Sequence, residues 1–146
     1  MNLRQLSCSS FCILVAVITA VAQGPKKQPY LIVDTTKIAA STTSPTQNIR
    51  FFASAAETGG AVSLFETTEM PGYKTSLHRH PVAEETFLVL EGTIILDVAG
   101  ERVEIGPGEF CCFPDGLPHA VVETIPPLRT FMLRAPSVED KFTQPV

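Results

Sequence analysis

The chain has 146 residues and a mass of 15.8 kDa, enough for one hydrophobic core and too short for two. Hydrophobic residues make up 45% and charged residues 18%, with 12 prolines and 9 glycines, a composition that excludes whole-chain disorder and supplies many turns. Eleven basic residues lie scattered among 15 acidic ones for a net charge of -4, so the basic patch that nucleic acid requires is missing.

Residues 1–5 carry one cation, Arg4, and residues 11–22 read FCILVAVITAVA, an apolar run ending in the small-residue pattern Ala20, Val21, Ala22. This pattern predicts a secretory signal peptide over residues 1–22 with cleavage near Ala22, hence a secreted or periplasmic product. The run is shorter than the roughly 20 residues of a membrane span and is followed at once by Gln23, Gly24, Pro25, Lys26 and Lys27, so no stable membrane anchor is expected. Cys8 precedes the apolar run and Cys12 stands at its start, whereas a lipid-anchor cysteine would follow it; both leave with the leader. Only the neighbours Cys111 and Cys112 then remain, and because adjacent strand residues point to opposite faces they are read as free thiols.

Residues 23–48 read as an N-terminal arm with one short strand at Tyr30–Val33, since TTKIAASTTSPTQ has no apolar period. Strand-length apolar runs follow at 50–54, 61–67, 73–80, 85–90, 93–98, 101–105, 110–113, 120–124 and 128–133. Gly- and Pro-rich turns separate them, and no helical period intervenes. The spacing predicts an all-β domain, an antiparallel sandwich or barrel over residues 49–134, with a tail at 135–146. TFLVL and TIILDV are apolar on both strand faces, which calls for a covering surface on each side: a partner sheet, a second copy of the chain in a homodimer, or the arm itself.

The chain has three histidines, His78, His80 and His119. Residues two apart on a strand share a face roughly 7 Å apart, so His78 and His80 can converge on one ion while Arg79 points away. Glu85 follows after a short turn on the next antiparallel strand, and the turn from Pro114 to Pro118 can bend His119 toward them. Imidazole nitrogen plus carboxylate oxygen suits one divalent transition-metal ion, Mn, Fe, Co, Ni, Cu or Zn. Four protein ligands on an octahedral ion leave two positions for small molecules.

These residues resemble a family. Gly72, five residues, His78, one, His80, four, Glu85, six, Gly92 is similar to the first motif of the cupin superfamily, and Gly108, five, Pro114, one, Gly116, two, His119 to the second. The resemblance spans about Ser54 to Met132. It implies a single conical antiparallel β-barrel of the double-stranded β-helix, jelly-roll type, with the metal inside its mouth. It also selects Glu85 over Glu84 as the carboxylate ligand, because only Glu85 keeps six residues to Gly92. The second motif usually closes with Asn; here that position is Glu123, which shares strand parity with His119. Glu123 is accordingly read as a general acid or base facing the pocket, or as a deeper hydrogen-bond partner.

Arg50 is read as a solvated edge side chain, with anchoring of an acidic substrate as the alternative. Met70, Tyr73, Phe87, Phe110, Phe113 and Met132 are read as core residues before pocket lining. The resemblance implies an exported, mononuclear metal-dependent oxidoreductase of the dioxygenase, quercetinase-like kind acting on a small organic molecule. The alternatives are a metal-dependent isomerase, decarboxylase or lyase, and a non-catalytic binder of metal or small ligand.

Overall fold

Gly92 separates two apolar runs in the sequence, and Pro126 and Pro127 separate two more, yet each pair folds into one long strand. The computed structural model describes residues 30–137 and 144–146. The predicted leader, its cleavage point, residues 23–29 of the arm and residues 138–143 of the tail lie outside the described residues. In the unit spanning Leu31–Val146, β5 (Glu84–Val98) and β8 (His119–Ala135) run antiparallel and pair along their length.

Each long strand serves two layers. In one, β1 (Ser41–Ser44), β2 (Gln47–Ala53) and β3 (Ser63–Glu69) lie beside the C-terminal half of β8, followed by the N-terminal half of β5 and β7 (Phe110–Phe113). In the other, β9 (Gln144–Pro145) and β4 (His78–Arg79) lie beside the N-terminal half of β8, then the C-terminal half of β5 and β6 (Glu101–Ile105). All pairings are antiparallel, giving the expected all-β, barrel-like jelly roll with unclosed edges.

The crease between the layers explains why the long strands survive their turn residues. Register shifts cluster around Glu91 and Thr93, and Gly92 takes φ +78° there. A Cβ on Gly92 would lie 2.2 Å from the Pro127 carbonyl oxygen and 2.7 Å from that of Ile125, so the two backbones approach closely enough to require glycine.

The core lies between the layers: Phe65, Phe87, Val89, Ile94, Leu96, Ile105, Phe113, Val121, Leu128 and Met132. Burying such a side chain contributes on the order of 1.5–3 kcal/mol. On β3 the strand period puts Ser63, Phe65, Thr67 and Glu69 inside, so two polar inward residues follow the aromatic one. Thr67 is satisfied by Thr130 across the pair, Oγ1 to Oγ1 at 2.7 Å.

Three local readings change. Residues 31–33 form no strand; Asp34 instead caps a 3-10 turn over Thr35–Lys37 by accepting from the Thr36 amide at 3.1 Å. The β-branched Thr42 and Thr43 make β1, with Thr42 donating to Asn48 at 2.9 Å, so the arm joins the sheet earlier than residue 49. A single turn, α1 (Ala55–Thr58), is set by a capping box in which Glu57 accepts from the Ser54 amide at 2.8 Å, a local signal that apolar periodicity does not report. No helix among the described residues is long and apolar enough to cross a membrane.

Candidate metal centre

Residues 73–80 supply less strand than expected. Only His78–Arg79 is extended and paired, while the preceding segment is fixed by reciprocal bonds between Thr75 and Val121: the Thr75 amide donates at 3.0 Å and the Thr75 hydroxyl accepts at 2.8 Å. This tether sets β4 against the start of β8, where His78 and His119 are direct register partners. The Gly116 amide donates to the His80 carbonyl at 2.8 Å, joining the loop after β4, which carries His80, to the loop that leads into His119.

The candidate ligand atoms of His78, His80, Glu85 and His119 all lie within 4.8 Å of one another. The ring centroids stand 4.5 to 5.3 Å apart. His80, Glu85 and His119 are buried and His78 sits half-buried at the mouth. Glu84 is exposed, one residue out of phase. The four residues that the sequence groups are thus brought together.

Second contacts orient them. His78 Nδ1 bonds to the Ser76 carbonyl at 2.8 Å and His119 Nδ1 to the Leu117 carbonyl at 2.9 Å. Donation from Nδ1–H leaves each Nε2 as a bare lone pair in the neutral ring. Phe113 stacks on His119 at 4.5 Å and 21°, fixing the ring plane. Arg134, the register partner of Glu85, donates from Nε to Oε1 at 2.5 Å.

The other Glu85 oxygen, Oε2, stands 3.2 Å from His119 Nε2 and 3.3 Å from His80 Nε2. With Nδ1–H committed to Leu117, a neutral His119 opposes one lone pair to another at this distance. Only a positive centre between them, a proton or a metal ion, makes the arrangement favourable, and three nitrogens with one carboxylate oxygen fit a transition-metal ion. Burial works to raise the Glu85 pKa, but bonds from His119 and His80 and the charge of Arg134 outweigh it and hold the carboxyl well below its usual range. Burial also lowers the pKa of His78. Both shifts favour the deprotonated, ligating forms.

A cavity of about 270 Å³ opens beside the cluster, between the layers. Its walls are mainly apolar, with Phe51, Phe65, Phe87, Ile94, Val121 and Met132, and its polar groups include Gln47, Glu69, Tyr73 and Arg134. Of the aromatic and sulfur residues read as core, Tyr73, Phe87 and Met132 also line this cavity; Phe113 is buried behind His119, whereas Met70 and Phe110 are exposed.

Glu123 corrects an expectation. It is exposed, it does not line the cavity, and its Oε2 accepts from Arg102 at 2.9 Å on the outer surface. Strand parity fails because β8 carries an extra residue: Leu96 pairs with Val121 but Ile95 with Glu123. Arg50 is outside the cavity as well, paired with Glu66 at 2.6 Å and lying over Phe52. Cys111 and Cys112 are free. Sequence reasoning missed Arg134, Glu69 and Gln47, whose only sequence signal is a polar residue on the inward parity of an apolar strand.

Residues 65–129 match the family model described as Cupin domain, and that match supports the cupin superfamily. An uncharacterized protein of Methanocaldococcus jannaschii is 34% identical over 59 residues, 40% of this chain; the matched stretch spans about half, 47%, of that relative. Among solved structures, KdgF from Halomonas sp. superposes with TM-score 0.67 at 16% identity, covering 77% of this chain and 98% of that one. The polyketide cyclase RemF from Streptomyces resistomycificus gives TM-score 0.66 at 26% identity over 80% of this chain and 85% of its own.

Proposed function

We propose that the protein is a metal-dependent enzyme acting on a small organic molecule, with His78, His80, His119 and Glu85 holding one divalent transition-metal ion. The observation that carries this reading is the convergence of three imidazoles and one carboxylate, whose candidate ligand atoms all lie within 4.8 Å of one another. A bound ion would supply Lewis acidity and, if redox-active, electron transfer to or from the ligand. The chain's own residues do the rest: Arg134 keeps Glu85 ionised and aimed, the Ser76 and Leu117 carbonyls set ring orientation, and apolar walls limit water around the substrate.

Within that class we assign an oxidoreductase of the dioxygenase type, because a ligand set of this kind leaves adjacent positions for substrate and dioxygen. Metal analysis of protein purified without added ions, followed by oxygen uptake with flavonols, catechols and dicarboxylates, tests it. A redox-active ion with substrate-dependent uptake supports the assignment; zinc, or no ion, with no uptake overturns it. The likeness to a polyketide cyclase at 26% identity favours a second reading, a non-redox conversion in which the ion polarises a substrate oxygen. Turnover with zinc and without oxygen uptake would select it.

Export through the leader and homodimer formation belong to the same proposal. N-terminal sequencing of the exported product should begin at Gln23, and sedimentation should give twice the protomer mass; large apolar side chains exposed at Val103, Phe110 and Ile125 support association.

A further inference from the structure

The cavity holds a second polar group that the metal-site reading does not use. Glu69 is 4% exposed, lines the cavity from the last position of β3, and has one oxygen, Oε2, with no hydrogen-bond partner among the described residues. Its other oxygen accepts from Gln47 Nε2 at 3.3 Å, and the same Nε2 donates to the Tyr73 hydroxyl at 2.8 Å. A buried carboxyl with an unmet oxygen costs stability unless something satisfies it, and here the residue that carries it lines the cavity.

We propose that the Glu69 carboxyl is the distal anchor of the ligand, recognising a hydroxyl group on a small molecule whose other end, a pair of oxygens, sits at the metal centre. Gln47 and Tyr73 act as positioning residues: the amide of Gln47 ties the Glu69 carboxyl to the Tyr73 hydroxyl and so fixes its orientation. This rests on the metal-site reading and adds the substrate class to it.

The chemistry selects a hydroxyl over an ammonium group. The side chains bonded to this end, Gln47 and Tyr73, are neutral, and burial raises the pKa of Glu69 while burial and the nearby carboxylates push Tyr73 up to about 12. A hydroxyl both donates and accepts, so it pairs with the carboxyl in either protonation state, whereas an ammonium group needs the ionised form. The volume of about 270 Å³ suits a single substituted ring rather than a polymer.

Two pyranones separate the parts. Kojic acid carries a chelating hydroxyl–ketone pair at one end and a hydroxymethyl group across the ring; allomaltol is the same molecule with a methyl group in place of the hydroxymethyl. Their dissociation constants for the cobalt-loaded full chain are read from the cobalt absorption bands. Kojic acid should bind about tenfold more tightly than allomaltol, the size expected for one buried hydrogen bond to a carboxyl group. Glu69→Leu should bring the ratio to about one while cobalt content and allomaltol affinity stay unchanged, and Glu69→Gln, which keeps an acceptor, should retain the preference. Equal binding of the two pyranones by the unsubstituted protein, a comparison that needs no variant, overturns the proposal, as does a preference that survives Glu69→Leu. If cobalt is held but neither pyranone changes its spectrum, the distal anchor is overturned alone; if cobalt is not held, the metal-site reading itself fails and the distal anchor falls with it.

Discussion

Glu85 and Arg134 are opposite one another in the β5–β8 register, and the guanidinium Nε takes one carboxylate oxygen at 2.5 Å while the other is left facing two imidazoles. One side chain is thus divided between a permanent cation and a site for an exchangeable one. Replacing Arg134 with Met should free the carboxylate to rotate and weaken metal binding by about 10–100-fold, the range for loss of a group that orients a ligand. Competition against a chelator measures this. Arg134→Lys should restore only part of the loss, because a single ammonium does not reproduce the planar fork.

Single replacement of His78, His80 or His119 by Ala should lower metal content strongly, and Glu85→Ala should do the same. Glu84→Ala should leave it unchanged, since Glu84 is exposed on the outer phase of β5. Elemental analysis of the five variants decides the matter; equal loss for both glutamates would contradict the register that places only Glu85 inside.

Acid should destabilise the metal-free protein. His78 has a folded pKa below its ordinary 6.5 and Glu85 one below its ordinary 4.5, so the unfolded chain binds more protons in both windows. Stability from His78 is therefore present above 6.5 and lost as pH falls through its depressed folded value; that from Glu85 is present above 4.5 and lost on further acidification. Glu69 runs the other way. Its pKa is raised by burial, so its contribution is fullest below 4.5 and is lost as pH rises through the folded value. Melting temperatures of chelator-treated protein should fall on acidification below about pH 6.5, and Glu69→Gln should gain most over the parent at neutral pH.

Gly92→Ala should cost at least about 3 kcal/mol or abolish soluble expression, because a Cβ there meets the Pro127 and Ile125 carbonyl oxygens and the residue needs a positive φ. Thermal denaturation checks it. Gly108→Ala, also at positive φ but with open space around the added carbon, should cost about 1 kcal/mol.

Glu123→Ala should change stability by less than about 1 kcal/mol and leave metal content untouched, as expected for a surface pair with Arg102. Chemical denaturation together with elemental analysis tests both halves; a loss of metal would return Glu123 to the interior.

What the sequence made legible, and what it hid, follows from how far each signal reaches along the chain. His78, His80 and Glu85 fall within eight residues, so strand period and one turn suffice to group them. Arg134 is 49 residues from Glu85 and Glu69 is 22 from Gln47; these partnerships exist only once register is set. Glu123 went astray for the opposite reason, since counting by twos along β8 assumes a regular strand and one inserted residue near Val122 reverses the face. The strand breaks expected at Gly92 and Pro126 are a bend: chain punctuation marks a change of direction there, and hydrogen bonding resumes on the far side.

The β2–β3 pair, edged by β1, joins the two long strands only through β8, yet it furnishes Gln47, Ile49, Phe51, Phe65 and Glu69 to the cavity and none of the four residues gathered around the ion position. New ligand preferences are within reach by rewriting this ribbon's inward side chains, and the chemistry at the other end need not be reinvented each time.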